Sequence, residues 1–424
     1  MTRFDRMEPR LPELLTDLAA PGLPDYTDDV LARTAGLRQR PRWTLPERWL
    51  PMGVLAQRSV YMPRIPWRTV IVAALLLVAL AATLAWFGSQ RHAAPPFGLA
   101  RNGLIMYSVD GDLVTWNPDT ETATTIVAGP TDDFTGMFSR DGTKLAFLRR
   151  ERAPSATEPE LVSIQVANAD GTSPNDITGP LDAPDQWDWS PSGDQIVVQS
   201  IVDGHRTLQV VPTDGSAPPR VLDTGMDVTF VSFLPPNGDE IVFRGVDDTP
   251  DGKRSGLFAI SPDGGQLRPL LPTDGHPDFG YHGPTPSPDG RHLVYQSWDP
   301  VAVVSRLRLL DLETGLDVAV GQTGALYGEG GGMFSPDGTL IAYRGGDEGG
   351  FRLYVVPVDG SAEPRALTGL TPGDAWHEFS PDGTKVMLNL FESETTQVID
   401  AETGEADLLP DQIRDPGTWQ RLAP

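Results

Sequence analysis

The sequence predicts an all-β fold, a β-propeller of seven four-stranded blades, with six blades as the alternative count. Three observations predict it. A short phrase, Phe-Ser-Pro-Asp-Gly, stands at Phe334–Gly338 and Phe379–Gly383. Looser copies stand at Phe138–Gly142, Trp189–Gly193, Phe233–Gly238 and Pro286–Gly290. Alternating apolar residues follow every copy, as in Leu145-Ala-Phe147, Ile241-Val-Phe243 and Val386-Met-Leu388, and a period of two marks β-strands. The residues before the turn glycines are Asp141, Ser192, Asn237, Asp289, Asp337 and Asp382, spaced 51, 45, 52, 48 and 45 residues apart. That interval suits a propeller blade. The 44 glycines and 41 prolines favour tight turns over helices.

Four segments precede or make up this architecture: residues 1–66, 67–88, 89–101 and 102–424. Residues 1–66 read as an N-terminal segment with two short amphipathic helices. Leu11, Leu14, Leu15 and Leu18 share one helical face. A second helix begins at Asp25 as N-cap and carries Tyr26, Val30, Thr34 and Leu37 on one stripe. Proline-rich sequence after Arg42 stops it. Residues 11–42 are the candidate docking segment for a cytoplasmic regulator.

Thr69–Phe87 holds 19 residues without a charge. At about 1.5 Å per residue it matches the hydrocarbon thickness of a bilayer. Trp67 and Trp86 mark its two edges, where indoles prefer the interface. It begins too late in the chain for a cleaved signal peptide. Residues 67–88 are therefore expected to span the membrane once. Arg48, Arg58, Arg64 and Arg68 precede the span closely, whereas Arg91 and Arg101 follow it. The positive-inside rule puts the N-terminus in the cytoplasm and the propeller outside. Residues 89–101, with Ala93-Ala94-Pro95-Pro96, read as a stalk.

From Asn102 to Pro424 strand and turn signals alternate. Asp170-Gly171, Asp214-Gly215, Asp263-Gly264 and Asp359-Gly360 add a second hairpin turn in four of the blades, and Glu-Thr-Gly at 313–315 and 402–404 does so in the other two. Gly103–Tyr107, Leu113–Trp116 and Ala123–Val127 form three strands with no phrase in front of them. Their missing inner strand is expected from the C-terminus, where Gly417-Thr-Trp419-Gln-Arg-Leu422 lies beyond the last hairpin. Such closure ties the ends of the ring together and removes two sheet edges. The count is then seven.

The phrase and the strand after it resemble the repeat of TolB-like propellers, the WD40-like PD40 family, over roughly Asn102–Pro424. The resemblance implies an interaction platform of the bacterial envelope. The chain departs from TolB itself in its membrane anchor and in lacking a recognisable TolB N-terminal domain. Its topology also looks like that of membrane-bound anti-sigma regulators. The His and Cys residues of their zinc-binding version are absent from residues 1–66.

Charge narrows the partners. Residues 1–68 hold 11 arginines and 8 acidic residues, a net of +3; the remainder, with 22 basic and 50 acidic residues, carries −28. So acidic a domain repels nucleic acid. With no cysteine, disulfides, thiolate metal sites and cysteine nucleophiles are excluded. The six histidines, at 92, 205, 276, 282, 292 and 377, show no zinc-ligand spacing. No stretch matches a calcium loop, and no cofactor is expected. A Gly-x-Ser-x-Gly elbow is also absent.

Propeller ligands bind at the central channel, and the innermost strand of each blade should precede each phrase. The candidate ligand-binding residues are therefore Asp185, Trp187, Tyr281, His282, Glu329, Trp376 and His377, with Glu378 beside them. Aromatic, imidazole and carboxylate groups on one concave mouth suit a cation, a sugar or a peptide terminus. Strand alternation lets about half of them face the channel. The expected function is a membrane-anchored binding platform for a protein or small ligand. An envelope hydrolase or lyase working through His282 and His377 is one alternative. A transmembrane signal transducer is the other.

Overall fold

Five of the six phrases fold as tight turns that their own side chains close; at Phe233–Gly238, which lacks the serine, the Gly238 amide closes the turn on Leu234 O at 3.0 Å. Ser139 Oγ donates to Asp141 Oδ1 at 2.6 Å and accepts from the Lys144 amide at 2.9 Å. Asp141 Oδ1 in turn accepts from the Thr143 amide and hydroxyl. The same serine–aspartate pairing recurs at Ser287/Asp289, Ser335/Asp337 and Ser380/Asp382. Partial burial opposes ionisation of Asp337, but its bonds from Ser335 and Thr339 outweigh that and hold its carboxyl below the usual range. The phrase glycine takes a left-handed φ, +70° at Gly142, which glycine adopts without steric cost. At Gly142 and Gly290 an added Cβ would also collide with carbonyl oxygens of Arg421 and Pro235.

The computed structural model describes residues 93–150, 162–247, 254–271, 283–299, 303–321, 328–347, 350–369, 371, 375–414 and 416–424. Their strands form seven four-stranded antiparallel sheets. Six of these blades are consecutive in the chain, with innermost strands Asp132–Phe138, Trp187–Trp189, Asp227–Phe233, Thr285–Pro286, Gly328–Phe334 and Ala375–Phe379. They are blades 2 to 7. Blade 1 takes Arg101–Val109, Asp112–Asn117 and Thr122–Val127 from the start of the propeller, and its innermost strand, Pro416–Leu422, from the end. Arg101 pairs with Leu422 and Ile105 with Trp419. The ring thus has seven blades and closes through Trp419, as the unpaired strands at Gly103–Trp116 required.

The core lies between blades. One buried cluster joins Phe351, Leu353 and Val355 of blade 6 to Phe379, Val386 and Leu388 of blade 7. Another joins Ile105, Tyr107 and Trp116 of blade 1 to Met387 and Val398 of blade 7 around Trp419. Successive residues of a strand point to opposite faces, and runs such as Leu145–Leu148 are apolar at every position, so each sheet has two apolar faces and each face meets its neighbour.

The inner strands of blades 2, 4 and 6 each carry a register shift, between Phe134 and Met137, Thr229 and Ser232, and Gly330 and Met333. A left-handed residue sits inside each: Thr135 (φ +50°), Phe230 (φ +56°) and Gly331 (φ +66°). Such bulges re-aim side chains, here along the channel wall. Among the described residues no helix is long and apolar enough to cross a membrane. Thr69–Phe87 and residues 11–42 lie outside the described residues.

Candidate functional site: the central channel

Inner strands run from a far end to the end where the phrases stand, and the channel holds a chamber at each. Met137, Ser232, Thr285, Pro286, Met333 and Trp376 line both.

The phrase-end chamber, about 350 Å³, is lined in part by Pro96, Phe97 and Gly98. Residues 93–100, part of the segment read as a stalk, lie across it. The Ala94 amide donates to Asp141 O at 3.2 Å and the Ala100 amide to Pro381 O at 2.9 Å. Arg421 Nη2 donates to Pro95 O at 3.1 Å and to Gly98 O at 2.6 Å. Phe97 lies under the Arg140 guanidinium, 5.1 Å from ring centroid to Cζ, a cation–π contact. Arg140 Nη2 donates to both carboxylate oxygens of Asp188, at 2.8 and 2.9 Å. Asp188 Oδ2 also accepts from Ser232 Oγ and the Phe233 amide, at 2.8 and 3.0 Å. One buried carboxylate of blade 3 therefore links blades 2 and 4. Glu378 accepts from the Trp419 amide at 3.2 Å. Burial pushes its carboxyl up to about 8, so it is mostly protonated at neutral pH.

The far-end chamber, about 420 Å³, is walled by the inner strands and the segments leading into them. Asp185, Trp187, Trp376 and His377 all line it, so four of the seven candidates come together. Asp185 is exposed. Trp187 is buried, packed in a cluster with Leu181 and Ile196, and presents only part of its ring. His377 is 3% exposed, with Nε2 3.2 Å from Ala342 O of the neighbouring blade.

Glu329 is elsewhere. Its side chain turns between blades 5 and 6, where Oε2 accepts from the Leu307 amide at 3.2 Å. Oε1 has no hydrogen-bond partner among the described residues. Burial pushes this carboxyl up to about 7, only partly offset by the Leu307 amide and Arg306. Tyr281 and His282 lie outside the described residues.

Arg344 was not among the candidates, yet it lines the far-end chamber from the second strand of blade 6. Gly330, Gly331 and Gly332 stand in the inner strand beside it. A Cβ on Gly331 would lie 3.4 Å from both Arg344 Nε and His377 Cε1. This run of three glycines leaves a window through which a second-strand guanidinium reaches the channel. Burial lowers the Arg344 pKa to about 10, which leaves it charged at neutral pH. Phe230 also lines the chamber, packed over Gly283.

The Glu329 carboxyl gives a pH test. Unfolded, a glutamate releases its proton near pH 4.3; here it holds it to about pH 7. Its contribution to stability is full below about pH 4 and is lost as pH rises through about 7. Wild-type protein should melt at progressively lower temperature from pH 5 to pH 8. Glu329→Gln should flatten part of that decline and melt higher than wild type at pH 8. Parallel profiles for the two proteins would refute the assignment.

No protein-family model matches the chain, and no curated protein sequence matches it. Solved structures do. A periplasmic gluconolactonase, PpgL, from Pseudomonas aeruginosa is 17% identical, with 76% of this chain and 99% of that one covered and a TM-score of 0.52. The β-propeller domain of the Trilobed protease from Pyrococcus furiosus, described as having an open velcro topology, is 13% identical over 74% of this chain and 96% of that one, with a TM-score of 0.51. TolB from Acinetobacter baumannii is 17% identical over 74% and 81%, with a TM-score of 0.48. TolB proteins are thus among the propellers this chain is similar to. At these identities the likeness is one of fold.

Proposed function

We propose that the chain is a single-pass membrane protein whose external propeller is a binding platform, taking a protein or small ligand at the far end of its channel. The observation that carries this reading is the asymmetry of the channel. Its phrase end is partly covered by residues 95–98, held there by Arg421. Its far end gathers Asp185, Trp187, Trp376, His377 and Arg344 around about 420 Å³. A concave site with aromatic walls and a few placed charges is what a ligand needs for affinity and orientation. The membrane anchor is Thr69–Phe87, with the N-terminus in the cytoplasm, argued from its apolar length and the flanking arginines.

Two measurements test the reading. A reporter enzyme active only outside the cytoplasm, fused to Pro424, should be active; silence would reverse the orientation. A photo-crosslinker placed at Gln186 in cells should capture a discrete species. Asp185→Ala and Arg344→Ala should each reduce capture about tenfold or more, the loss of one placed charge at a site centre. Equal capture by crosslinkers on the outer strands would sink the far-end site.

A further inference from the structure

We propose that the phrase end of the channel is a second binding site, shaped for a ligand that joins an aromatic ring to a carboxylate, and that residues 95–98 occupy it as an internal stand-in. It goes beyond the far-end platform and does not depend on it.

The charges of this chamber are unequally met. Arg140 is neutralised by Asp188 at 2.8 Å. Arg421 is not: among the described residues no carboxylate stands within ion-pair distance of it. Its Nη2 faces two neutral carbonyl oxygens, those of Pro95 and Gly98, and its Nε has no hydrogen-bond partner among the described residues. Glu378 is near, but it makes no ion pair with the guanidinium, and burial pushes its carboxyl up to about 8 against the pull of Arg421 and Arg140. Burial and the neighbouring Arg140 push the Arg421 pKa down to about 10, against the opposing pull of Glu378.

The edge of a guanidinium that carries Nε and Nη2 is the edge that grips a carboxylate with two parallel bonds. This chain uses it so elsewhere. Arg149 holds Asp133 with Nε and Nη2 at 2.7 and 2.9 Å, and Arg268 holds Glu240 with the same pair at 2.8 and 2.6 Å. At Arg421 that edge meets only backbone oxygens. Beside it, Arg140 is already fixed over an aromatic ring, that of Phe97. Ring and carbonyls therefore sit where a ligand's ring and carboxylate belong. Outside the Arg421 contacts and the packing of Phe97 under Arg140, the stand-in is held among the described residues by two main-chain bonds, from Ala94 and Ala100.

The test uses the full chain in detergent micelles with three probes: N-acetyl-phenylalanine, its carboxamide, and a hexapeptide ending in phenylalanine with a free carboxylate. Binding is read by calorimetry. Phe97→Ala, which removes the competing ring, should bind at least one carboxylate probe about tenfold more tightly than the carboxamide, as expected for a bidentate charged bond over a neutral one. Wild type should bind the same probe more weakly, and hydrogen exchange at residues 93–100 should rise as it binds. Arg421→Gln should abolish the preference for the acid. Arg421→Lys, which keeps the charge without the fork, should lose most of it while retaining the wild-type melting temperature. The tighter carboxylate probe distinguishes a small acid from a peptide terminus. If Phe97→Ala binds acid and carboxamide alike, or binds neither acid, the proposal is wrong. It also fails if Arg421→Gln keeps the acid preference.

Discussion

Trp419→Ala is expected to lower the unfolding midpoint of the propeller by on the order of 5–10 °C, read by scanning calorimetry, from a loss of about 3–5 kcal/mol. The indole is 5% exposed. It packs against Ile105, Tyr107 and Trp116 of its own blade and Met387 and Val398 of blade 7. Its Nε1 donates to Gly103 O at 3.1 Å, so truncation leaves both a cavity and an unpaired carbonyl. Neighbours in the same strand serve the other side of the ring. Thr418 Oγ1 accepts from the Phe138 amide at 2.8 Å, and Gln420 Nε2 donates to Gly142 O at 2.9 Å. Deleting residues 416–424 should therefore do more than the point change, because it opens blade 1 to a three-stranded sheet with a bare edge. An unchanged midpoint in the deletion would mean that the ring does not depend on this closure.

Asp188→Ala is expected to cost about 3–5 kcal/mol, the range for removing one member of a buried charge pair. The carboxylate holds Arg140 of blade 2 and both Ser232 Oγ and the Phe233 amide of blade 4. Removing it strands a guanidinium and two donors together. The double variant Asp188→Ala, Arg140→Ala should be clearly less destabilised than the sum of the two single changes, since it removes the stranded charge as well. Chemical denaturation of the three variants gives the coupling directly. Additive losses would show that the pair is not a unit.

The ring was legible in the sequence because its rules are local. A Ser-x-Asp-Gly turn closes within six residues, and two strands beside it alternate with a period of two. The spacing of the phrases then gave the blade interval, and the phrase-less strands at Gly103–Trp116 pointed to Trp419. The channel was less legible because its contacts join residues far apart in the chain. Asp185, Trp187, Trp376 and His377 were reachable by position, since each lies just before a phrase. Glu329 occupies an equivalent position, yet the bulge between Gly330 and Met333 interrupts its strand's register, and its carboxylate goes between blades. Arg344 lies after a phrase, where no inner-strand rule applies; only the glycine run at 330–332 hinted at it. Phe97 stands in a proline-flanked stretch whose composition reads as a spacer, and nothing local marks its ring as a partner of Arg140.

A strand from far along the chain, Pro416–Leu422, completes the first blade. Arg101–Val109 leaves the ribosome roughly three hundred residues before Pro416–Leu422, which pairs with it. Throughout that interval the first blade presents an unfilled inner edge, so folding cannot finish vectorially, blade by blade, as the chain emerges. A nascent chain halted anywhere before Trp419 keeps that edge available to chaperones and proteases. The ring therefore waits on Pro416–Leu422: six blades are built from consecutive strands, and blade 1 stays one strand short until that strand arrives.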